Sequence, residues 1–551
     1  MTSGGSSLTY LRVLSQLRDY FAKATPASLV FQRDLPDLVK KISNSIYNSK
    51  EVIEHPKVDK IEHETPKAVP ERKPIGVSEE NISDLKKALK TVNTYIPPYF
   101  SQVRLNFSKP EQQKVMDKTV PKWKTRKAVI TKPSIDARTR YLTRSLGKQL
   151  TETGCIKKLQ DLCSHLRQHP QAKGVAVKSR GIQLILKILE ETPNNSVECE
   201  AREALALLGY TQPVKARGIR LLTIDGGGVR GLVALEVLKK LEDKAGQPIH
   251  ELFDYICGVS TGAIISVLIG IHKMPLDDCE KLYKDLSTRI FTQTTFKGAT
   301  SLFMKNSYYD SDSWTQILKE NMGETNIIET ARDPNTPKVC LVATTTNTNR
   351  VQAYLFRNYN LPYRVTSHYQ GTSLPRLWEA VRASAAAPGY FSEFRIGDMI
   401  LLDGGLFVNN PTAIALHEAK QLWPDAELQC VLSVGTGRHE PIATTNEASI
   451  SWATRLRTIV NSATDTEGVH TTMHDLLPGS VYYRFNPYLS DEFGLDEIEE
   501  SRLAVMMEDT SLYLRKNEPK IQEAAQALTQ TKTPLDRAKD WYQYQRQFWL
   551  L

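Results

Sequence analysis

Three short glycine-rich motifs hold the residues of this chain that could carry out covalent chemistry, and the first is Gly258-Val259-Ser260-Thr261-Gly262. It fits the pattern GxSxG, follows the apolar run FDYIC and opens an apolar helix, AIISVLIGI. In a sharp strand-to-helix turn the serine hydroxyl is exposed, and the flanking glycines let strand and helix approach each other closely. The pattern favours Ser260 as a nucleophile, with Gly258 and Gly262 forming the elbow; an ordinary glycine-bounded turn is the alternative.

The second motif is a run of glycines, Asp225-Gly226-Gly227-Gly228-Val229-Arg230-Gly231, between an apolar run and a helical pattern. Consecutive glycines allow backbone N–H groups to converge on one point, and the N-terminus of the following helix adds positive potential. We therefore expect an oxyanion hole that serves Ser260. Its candidate residues are Gly226, Gly227, Gly228, Val229, Arg230 and Gly231.

The same glycine run also satisfies the dinucleotide-binding pattern G-x-G-x-x-G, at positions 226, 228 and 231. That fingerprint requires an acidic residue about 20 positions further on, at the end of the next strand. Here the next strand ends in Cys257-Gly258 and continues directly into the serine motif, and a Walker lysine is missing. Dinucleotide binding is thus the weaker alternative for this loop.

The third motif, Asp403-Gly404-Gly405, follows the apolar run MILL. A carboxylate at the carboxyl end of a strand lies where α/β sheets place their sites. Gly404 and Gly405 leave its approach to a neighbour unobstructed. Alone, this tripeptide is a common turn, but beside the other two motifs Asp403 becomes a candidate general base. A helix is then predicted to begin with Asn410 as its cap and Pro411 as its first residue.

Apolar runs that alternate with helical patterns must position these motifs. Strand-like runs occupy 219–224, 253–257, 338–343, 399–402 and 429–434. Such alternation is typical of an α/β domain with a largely parallel sheet. The last hundred residues are predicted to be mostly helical, with one strand at 481–485. Between Phe291 and Tyr309, apolar and aromatic residues alternate with lysines, which suggests an interfacial lid, with buried core as the alternative.

The segment before the sheet has helical periodicity from about 135 to 210. Its last part, GIQLILKILEETPNNSVECEAREALALLGY, resembles one armadillo-type repeat. Because stacked repeats need neighbours to bury their faces, a single repeat leaves two interpretations open. The segment is either a helical interaction module or a helical cap on the next domain.

Length, composition and charge limit the class of protein. A chain of 551 residues exceeds one hydrophobic core, and 40% apolar with 24% charged residues excludes a wholly disordered or collagen-like chain. The formal net charge of +9 is concentrated between Arg104 and Lys148, where there are 13 basic residues and 3 acidic ones. A basic segment on a nearly neutral body indicates either a solvated face or docking on an anionic surface.

Other sequence features bear on compartment and membrane contact. Residues 51–81 are charged and proline-rich and contain no Phe, Trp or Tyr, so we expect a disordered, flexible linker. No run of 18 apolar residues occurs, so no transmembrane helix is expected and membrane contact should be peripheral. The seven cysteines include no CxxC pair, which favours reduced thiols in an intracellular compartment over a disulfide framework or a zinc site.

Taken together, DGGGVRG, GVSTG and DGG, with RASAAAPGYF (382–391) and SVGTG (433–437), resemble the patatin-like phospholipase family, and most closely its gamma-type calcium-independent phospholipases A2. The resemblance implies a patatin-like three-layer α/β domain. It implies hydrolysis of the fatty-acyl esters of glycerophospholipids, of the A1/A2 and lysophospholipase types, with no metal or other cofactor. It also implies a dyad of Ser260 as nucleophile with Asp403 as its only partner, and an oxyanion hole that includes Gly227 and Gly228.

The same resemblance implies a setting and partners. The setting is the surface of an organelle membrane, whether mitochondrion, endoplasmic reticulum or peroxisome, and lipid is favoured over nucleic acid as partner. The armadillo-like segment is a candidate site for a protein partner, and a homo-oligomer is a candidate assembly. Gamma-type members can end in Ser-Lys-Leu, whereas this chain ends Trp549-Leu550-Leu551. Their long N-terminal extension with a transit segment is also not recognised in this sequence, which favours a shorter form or a fragment.

Two other functions compete with this interpretation. Four histidines follow Asp403 in the chain, so a Ser-Asp-His triad remains an alternative. They are His417, His439, His470 and His474. A non-catalytic scaffold that binds lipid or protein through the helical segment is the second alternative.

The expected organisation has five segments. They are an N-terminal helical segment (1–50), the linker and basic segment (51–133), the armadillo-like helical module (134–215), the patatin-like catalytic domain (218–440) and its mostly helical C-terminal extension (441–551).

Overall fold

Five helices precede the sheet in the part of the chain that this computed structural model describes, which is residues 131–148, 151–292, 309–439, 466–538 and 540–542. They are α1 (Lys132–Ser145), α2 (Glu152–Gln168), α3 (Lys173–Lys178), α4 (Gly181–Glu191) and α5 (Asn195–Leu208). The N-terminal segment, the linker and most of the basic segment lie outside the described residues. Helix α5 begins where Asn194 Oδ1 accepts the N–H of Ser196 at 2.9 Å, and it ends at Gly209, whose φ is +75°.

The apolar stripes of these helices form a hydrophobic core of their own. Leu159 and Leu162 of α2, Ile185 of α4 and Leu208 of α5 are fully buried in it. Ile328, from the chain that leads into the third strand of the sheet, completes the same core. The helical character of the region is thus confirmed, and its likeness to an armadillo repeat stays a prediction.

Nine strands form one sheet in the described residues. They are β1 (Ile219–Ile224), β2 (Tyr255–Val259), β3 (Lys338–Thr345), β4 (Gln352–Arg357), β5 (Gln370–Thr372), β6 (Phe394–Ile396), β7 (Met399–Asp403), β8 (Leu428–Val434) and β9 (Tyr482–Phe485). The main order is β5-β4-β3-β2-β1-β8-β9, and β7 pairs with β3 and β6. Five pairings are parallel and three are antiparallel, which confirms a largely parallel sheet.

Helices cover both faces of this sheet. They are α6 (Gly231–Ala245), α7 (Ile249–Leu252), α8 (Thr261–Ser266), α9 (Leu276–Phe291), α10 (Ser311–Met322), α11 (Leu377–Ser384), α12 (Thr412–Leu422), α13 (Thr466–Leu476), α14 (Glu500–Lys516) and α15 (Glu518–Thr529). Leu222 and Ile224 of β1 pack with α6, α8, α14 and α15, whereas Ile219 and Leu221 pack with α12. Because successive residues of a strand face opposite ways, the result is the expected three layers. Within the described ranges, no helix has the length and apolar character needed to cross a membrane.

Strand β3 brings the ends of β2 and β7 together. Val259, the last residue of β2, is in register with Val342 of β3 in the parallel pairing. The next residue of β3, Ala343, is in register with Asp403, the last residue of β7, in the antiparallel pairing. The chain turns away from the sheet after Val259, and β7 occupies the position that β2 vacates. Two motifs far apart in sequence therefore meet on consecutive residues of one strand.

The short strands on this side of the sheet were not predicted. β5 and β6 have three residues each, and the apolar run of β4 is only four residues long, between Gln352 and Arg357. Strands of this kind are fixed by their pairing partners rather than by their own apolar character. Both β4 and β7 pair with β3 in the antiparallel sense, on its opposite edges, a feature that the apolar runs alone could not indicate.

Candidate active site

Ser260 lies at the turn between β2 and α8 in a strained backbone conformation. Its φ is +53° and its ψ is −117°, which residues other than glycine rarely adopt. The Ser384 side chain helps to hold this conformation. Its Oγ accepts the N–H of Ser260 at 3.0 Å and donates to the carbonyl of Val342 at 2.6 Å. Ser260 thus lies, half-buried, in a sharp strand-to-helix turn of the kind that the GxSxG pattern predicts.

The two glycines of the elbow are required by close packing. A Cβ on Gly258 would lie 2.1 Å from the carbonyl oxygen of Gly262, and a Cβ on Gly262 would lie 2.2 Å from the carbonyl oxygen of Ile224 in β1. Real Cβ atoms do not approach backbone oxygens so closely, so any side chain would push α8 away from the sheet. The glycines thus let α8 lie directly on β1 and β2.

Asp403 accepts a hydrogen bond from the serine. Ser260 Oγ is 2.6 Å from Asp403 Oδ2, and the N–H of Gly405 donates to Asp403 Oδ1 at 2.7 Å. Burial away from water raises the pKa of Asp403 to about 6, although both hydrogen bonds act in the opposite direction. A Cβ on Gly404 would lie 2.2 Å from the carbonyl oxygen of Val342, so this glycine allows the turn after β7 to pack against β3.

The glycine run lies beside the serine, and its N–H groups differ in availability. Gly226, Gly227, Gly228 and Arg230 line the same cavity as Ser260. The N–H of Val229 donates to the carbonyl of Leu495 at 2.9 Å, and the N–H groups of Gly226, Arg230 and Gly231 also have backbone acceptors. Among the described residues, no acceptor is found for the N–H groups of Gly227 and Gly228.

Asp225, the first residue of this run, is anchored by a buried arginine that the sequence did not indicate. Arg484 of β9 donates to Asp225 Oδ2 at 2.7 Å, and both side chains are almost fully buried. Arg484 also donates to Ser433 Oγ at 2.9 Å, and Glu467 of α13 lies 3.4 Å away. The ion pair connects the start of the glycine run to β9, the strand at the edge of the sheet.

The cavity in front of Ser260 is mostly apolar. Its apolar lining comes from α8, α9, α10, the 382–391 segment, a leucine shortly after Asp403 and a leucine between β9 and α14. The residues are Ile264, Leu286, Ile290, Phe291, Trp314, Ala385, Ala387, Pro388, Phe391, Leu406 and Leu495. A site with one polar corner and long apolar walls suits a ligand with a hydrocarbon chain. The predicted lid between Phe291 and Tyr309 lies outside the described residues except at its ends, whose rings are 5.0 Å apart.

The histidines considered for a triad lie elsewhere. None of the four lines the cavity that holds Ser260 and Asp403. His417 packs edge-on against His368, and His470 Nδ1 lies 3.1 Å from the Tyr482 hydroxyl. The geometry therefore favours a dyad over a Ser-Asp-His triad.

One cluster elsewhere has metal-ligating residue types. Cys163, Glu200 and Glu203 place their ligand atoms within 4.8 Å of one another between α2 and α5. Both Glu203 oxygens face arginines, since Arg332 Nη2 is 2.6 Å from Oε2 and Arg167 Nη1 is 3.3 Å from Oε1. The cluster is thus an ion-pair network that joins the helical region to the chain before β3.

A family model for patatin-like phospholipases matches residues 222–416, which contain all three motifs. The chain is 39% identical over 532 residues to calcium-independent phospholipase A2-gamma of Mus musculus, covering 92% of this chain and 68% of that protein. The Oryctolagus cuniculus protein of that name is 42% identical over 496 residues, covering 87% of this chain and 63% of that one. The Homo sapiens protein is 44% identical over 417 residues, covering 76% and 53%. The chain thus spans about half to two thirds of the length of these relatives.

Proposed function

The chain belongs to the patatin-like phospholipase family, and from this premise we propose that it hydrolyses fatty-acyl esters of glycerophospholipids, independently of calcium, through a Ser260–Asp403 dyad. The observation that carries the proposal is the 2.6 Å hydrogen bond from Ser260 Oγ to Asp403 Oδ2 inside an apolar cavity. A serine hydroxyl is a weak nucleophile that needs an adjacent base. Burial supplies a better base here, because it raises the pKa of Asp403 to about 6.

In the first half-reaction, Ser260 Oγ attacks the ester carbonyl carbon and its proton passes to Asp403 Oδ2. The carbonyl oxygen becomes an oxyanion, which the N–H groups of Gly227 and Gly228 would stabilise. When the intermediate collapses, the bond to the leaving alkoxide breaks and Asp403 returns the proton to it. The products are the lysophospholipid and an acyl ester on Ser260.

In the second half-reaction, water attacks the acyl ester and gives its proton to Asp403. A second oxyanion forms at the same position and collapses, which releases the fatty acid and returns the proton to Ser260 Oγ. The same two N–H groups serve both steps, so the chemistry needs only residues that this cavity already contains. The apolar walls formed by α9, α10 and the 382–391 segment support a hydrocarbon chain as the acyl group.

The proposed setting is the surface of an organelle membrane. The basic segment between residues 104 and 148 would bind anionic lipid, where each surface lysine or arginine contributes about 1 kcal/mol. The helical region α1–α5 is the candidate site for a protein partner, and a homo-oligomer is a candidate assembly.

Changing Lys122, Lys124, Arg126 and Lys127 to glutamine should weaken co-sedimentation with anionic vesicles at low salt. Binding that is unaffected by salt and by all four changes would contradict the membrane proposal.

The activity itself is tested with the full chain on a phospholipid whose two acyl chains can be distinguished. Wild type should release fatty acid in EGTA as fast as in calcium, and Ser260→Ala and Asp403→Asn should lose turnover to similar extents, because the two residues act as a unit. Alanine at His417, His439, His470 or His474 should leave turnover near wild type. A wild-type chain without esterase activity would favour the scaffold alternative, and one histidine variant as inactive as Ser260→Ala would restore the triad.

A further inference from the structure

The SVGTG segment (433–437) packs directly beneath the glycine run, in a position that the mechanism above leaves without a role. Thr436 is buried, and its Oγ1 donates to the carbonyl of Gly226 at 2.8 Å. Asn409 Nδ2 donates to the same carbonyl at 3.3 Å. A Cβ on Gly227 would lie 2.2 Å from Thr436 Oγ1, which shows how closely the two segments approach.

Fixing this carbonyl also fixes an N–H group. A trans peptide is planar, and its C=O and N–H point in opposite directions. The described residues contain no cis peptide, so the carbonyl of Gly226 and the N–H of Gly227 are antiparallel members of one plane. With the carbonyl directed at Thr436 and Asn409, the N–H of Gly227 points away from the two donors, and Gly227 lines the cavity that holds Ser260.

The next peptide is held in the same way. The carbonyl of Gly227 accepts from the N–H of Arg230 at 3.2 Å and from its Nε at 3.3 Å, which directs the N–H of Gly228 away from Arg230. Thr436 is fixed in turn, because the N–H groups of Gly435 and Gly437 donate to the Phe485 carbonyl and to Asn486 Oδ1. Two consecutive peptides therefore have both carbonyls held by hydrogen bonds, while no acceptor is found among the described residues for either N–H group.

From this arrangement, which rests on the proposed esterase mechanism, we propose that Thr436, together with Asn409, is a positioning residue that aims the Gly227 N–H at the oxyanion. Thr436 does not touch the substrate. Its hydroxyl holds the Gly226–Gly227 peptide in one orientation before the charge develops, so that no reorganisation is needed in the transition state. The role of the SVGTG segment is thus to support the glycine run.

The test compares Thr436→Val, which keeps the shape and removes the donor, with Thr436→Ser, which keeps the donor. On a soluble p-nitrophenyl ester, Thr436→Val should lower kcat by roughly 10- to 100-fold while KM changes by less than about 2-fold, because only transition-state stabilisation is lost. Thr436→Ser should restore most of kcat. Thr510→Val is the matched control, since Thr510 is equally buried and its hydroxyl donates only within α14; it should keep wild-type kinetics.

A second measurement separates a misaimed donor from a loosened fold. The matching thionoester replaces the carbonyl oxygen by sulfur, a weaker hydrogen-bond acceptor, so its turnover depends less on the oxyanion donors. Thr436→Val should therefore lower the ratio of oxoester to thionoester turnover by about the same factor as kcat. An unchanged kcat, an equal loss on both esters, or a Thr436→Ser variant as slow as Thr436→Val would overturn the positioning role while wild-type activity still supports the esterase. A wild-type chain that cleaves neither ester overturns both proposals.

Discussion

Asp403, the proposed base, is buried, and burial makes its charge costly. Its pKa of about 6 lies well above the ordinary value, because the apolar surroundings disfavour the carboxylate more than Ser260 and Gly405 stabilise it. The raised pKa means that the folded chain binds the Asp403 proton more tightly than the unfolded chain does. Catalysis and stability therefore respond to the same titration in opposite ways.

The first prediction concerns activity. Because only the ionised form of Asp403 can accept the Ser260 proton, kcat/KM on a soluble ester should be constant above pH 7 and should fall about tenfold per pH unit below about pH 6. The measurement is kcat/KM between pH 4.5 and 8.5, with circular dichroism at each pH to verify folding. A profile that stays flat down to pH 4.5 would show that Asp403 does not act as the base.

The second prediction concerns stability. A group whose folded pKa is raised contributes stability that is present below the unfolded pKa and lost as the pH rises through the folded one. At pH 8 the ionised Asp403 should thus cost on the order of 3 kcal/mol, so the inactive variant Asp403→Asn should have a higher Tm than wild type. The gain should shrink as the pH falls from 8 to 5. Asp425→Asn, at an exposed position, should show no such gain at either pH.

The sequence motifs pointed to the two residues of the proposed dyad but not to the side chains that support them. Ser260 and Asp403 stand in motifs whose glycines mark tight turns, so their types and neighbours predicted both. Ser384 and Thr436 each use a hydroxyl to hold a backbone group that is remote in sequence. No local pattern distinguishes such a hydroxyl from any other buried one.

Among the elements, the contact between α8 and the sheet fixes the direction of the serine. Our third prediction is that Gly262→Ala, whose Cβ would lie 2.2 Å from the carbonyl oxygen of Ile224, displaces α8 and abolishes turnover. Overpacking of this kind should also lower the free energy of unfolding by about 1–3 kcal/mol. Gly479→Ala, where nothing lies within 4 Å, should change neither quantity. Full activity in Gly262→Ala would contradict the required close contact.

The strands show why the apolar runs predicted the sheet only in part. β1, β2, β3 and β8 are buried on both faces, so they appear in the sequence as continuous apolar runs. The antiparallel pairing of β7 with β3 has no such signature, because register depends on a partner that is distant in the chain. The apolar runs could thus place Asp403 at a strand end but not beside Ser260, a juxtaposition that only the family resemblance implied.

Ion pairs connect the helical region α1–α5 to the α/β part of the molecule. Glu203 is fully buried and faces Arg332 and Arg167. Our fourth prediction is that Arg332→Ala lowers the free energy of unfolding by roughly 2 kcal/mol, because it leaves a buried carboxylate with one weaker partner. Adding Glu203→Gln to that variant should recover part of the loss, since it removes the charge, and urea unfolding measures both. A double variant less stable than Arg332→Ala would contradict this explanation.

Ile328 belongs to the core of the helical region although it precedes β3 in the chain. The periodicity of apolar residues places a boundary near residue 215, where the helical pattern gives way to strands. It did not indicate that Ile328, from beyond this boundary, packs in the core of the helical region. Long-range insertions of single apolar residues are invisible to any local pattern.

The pairing of both β2 and β7 with β3 also determines when, during synthesis of the chain, Ser260 and Asp403 can meet. Ser260 and Asp403 are 143 residues apart, and only the completed β3–β7 pairing brings them together. A nascent chain therefore carries Ser260 long before the ribosome has added Asp403, and the Arg484 that anchors the glycine run emerges later still. By the mechanism proposed above, the order of translation itself delays the first turnover until the sheet is complete.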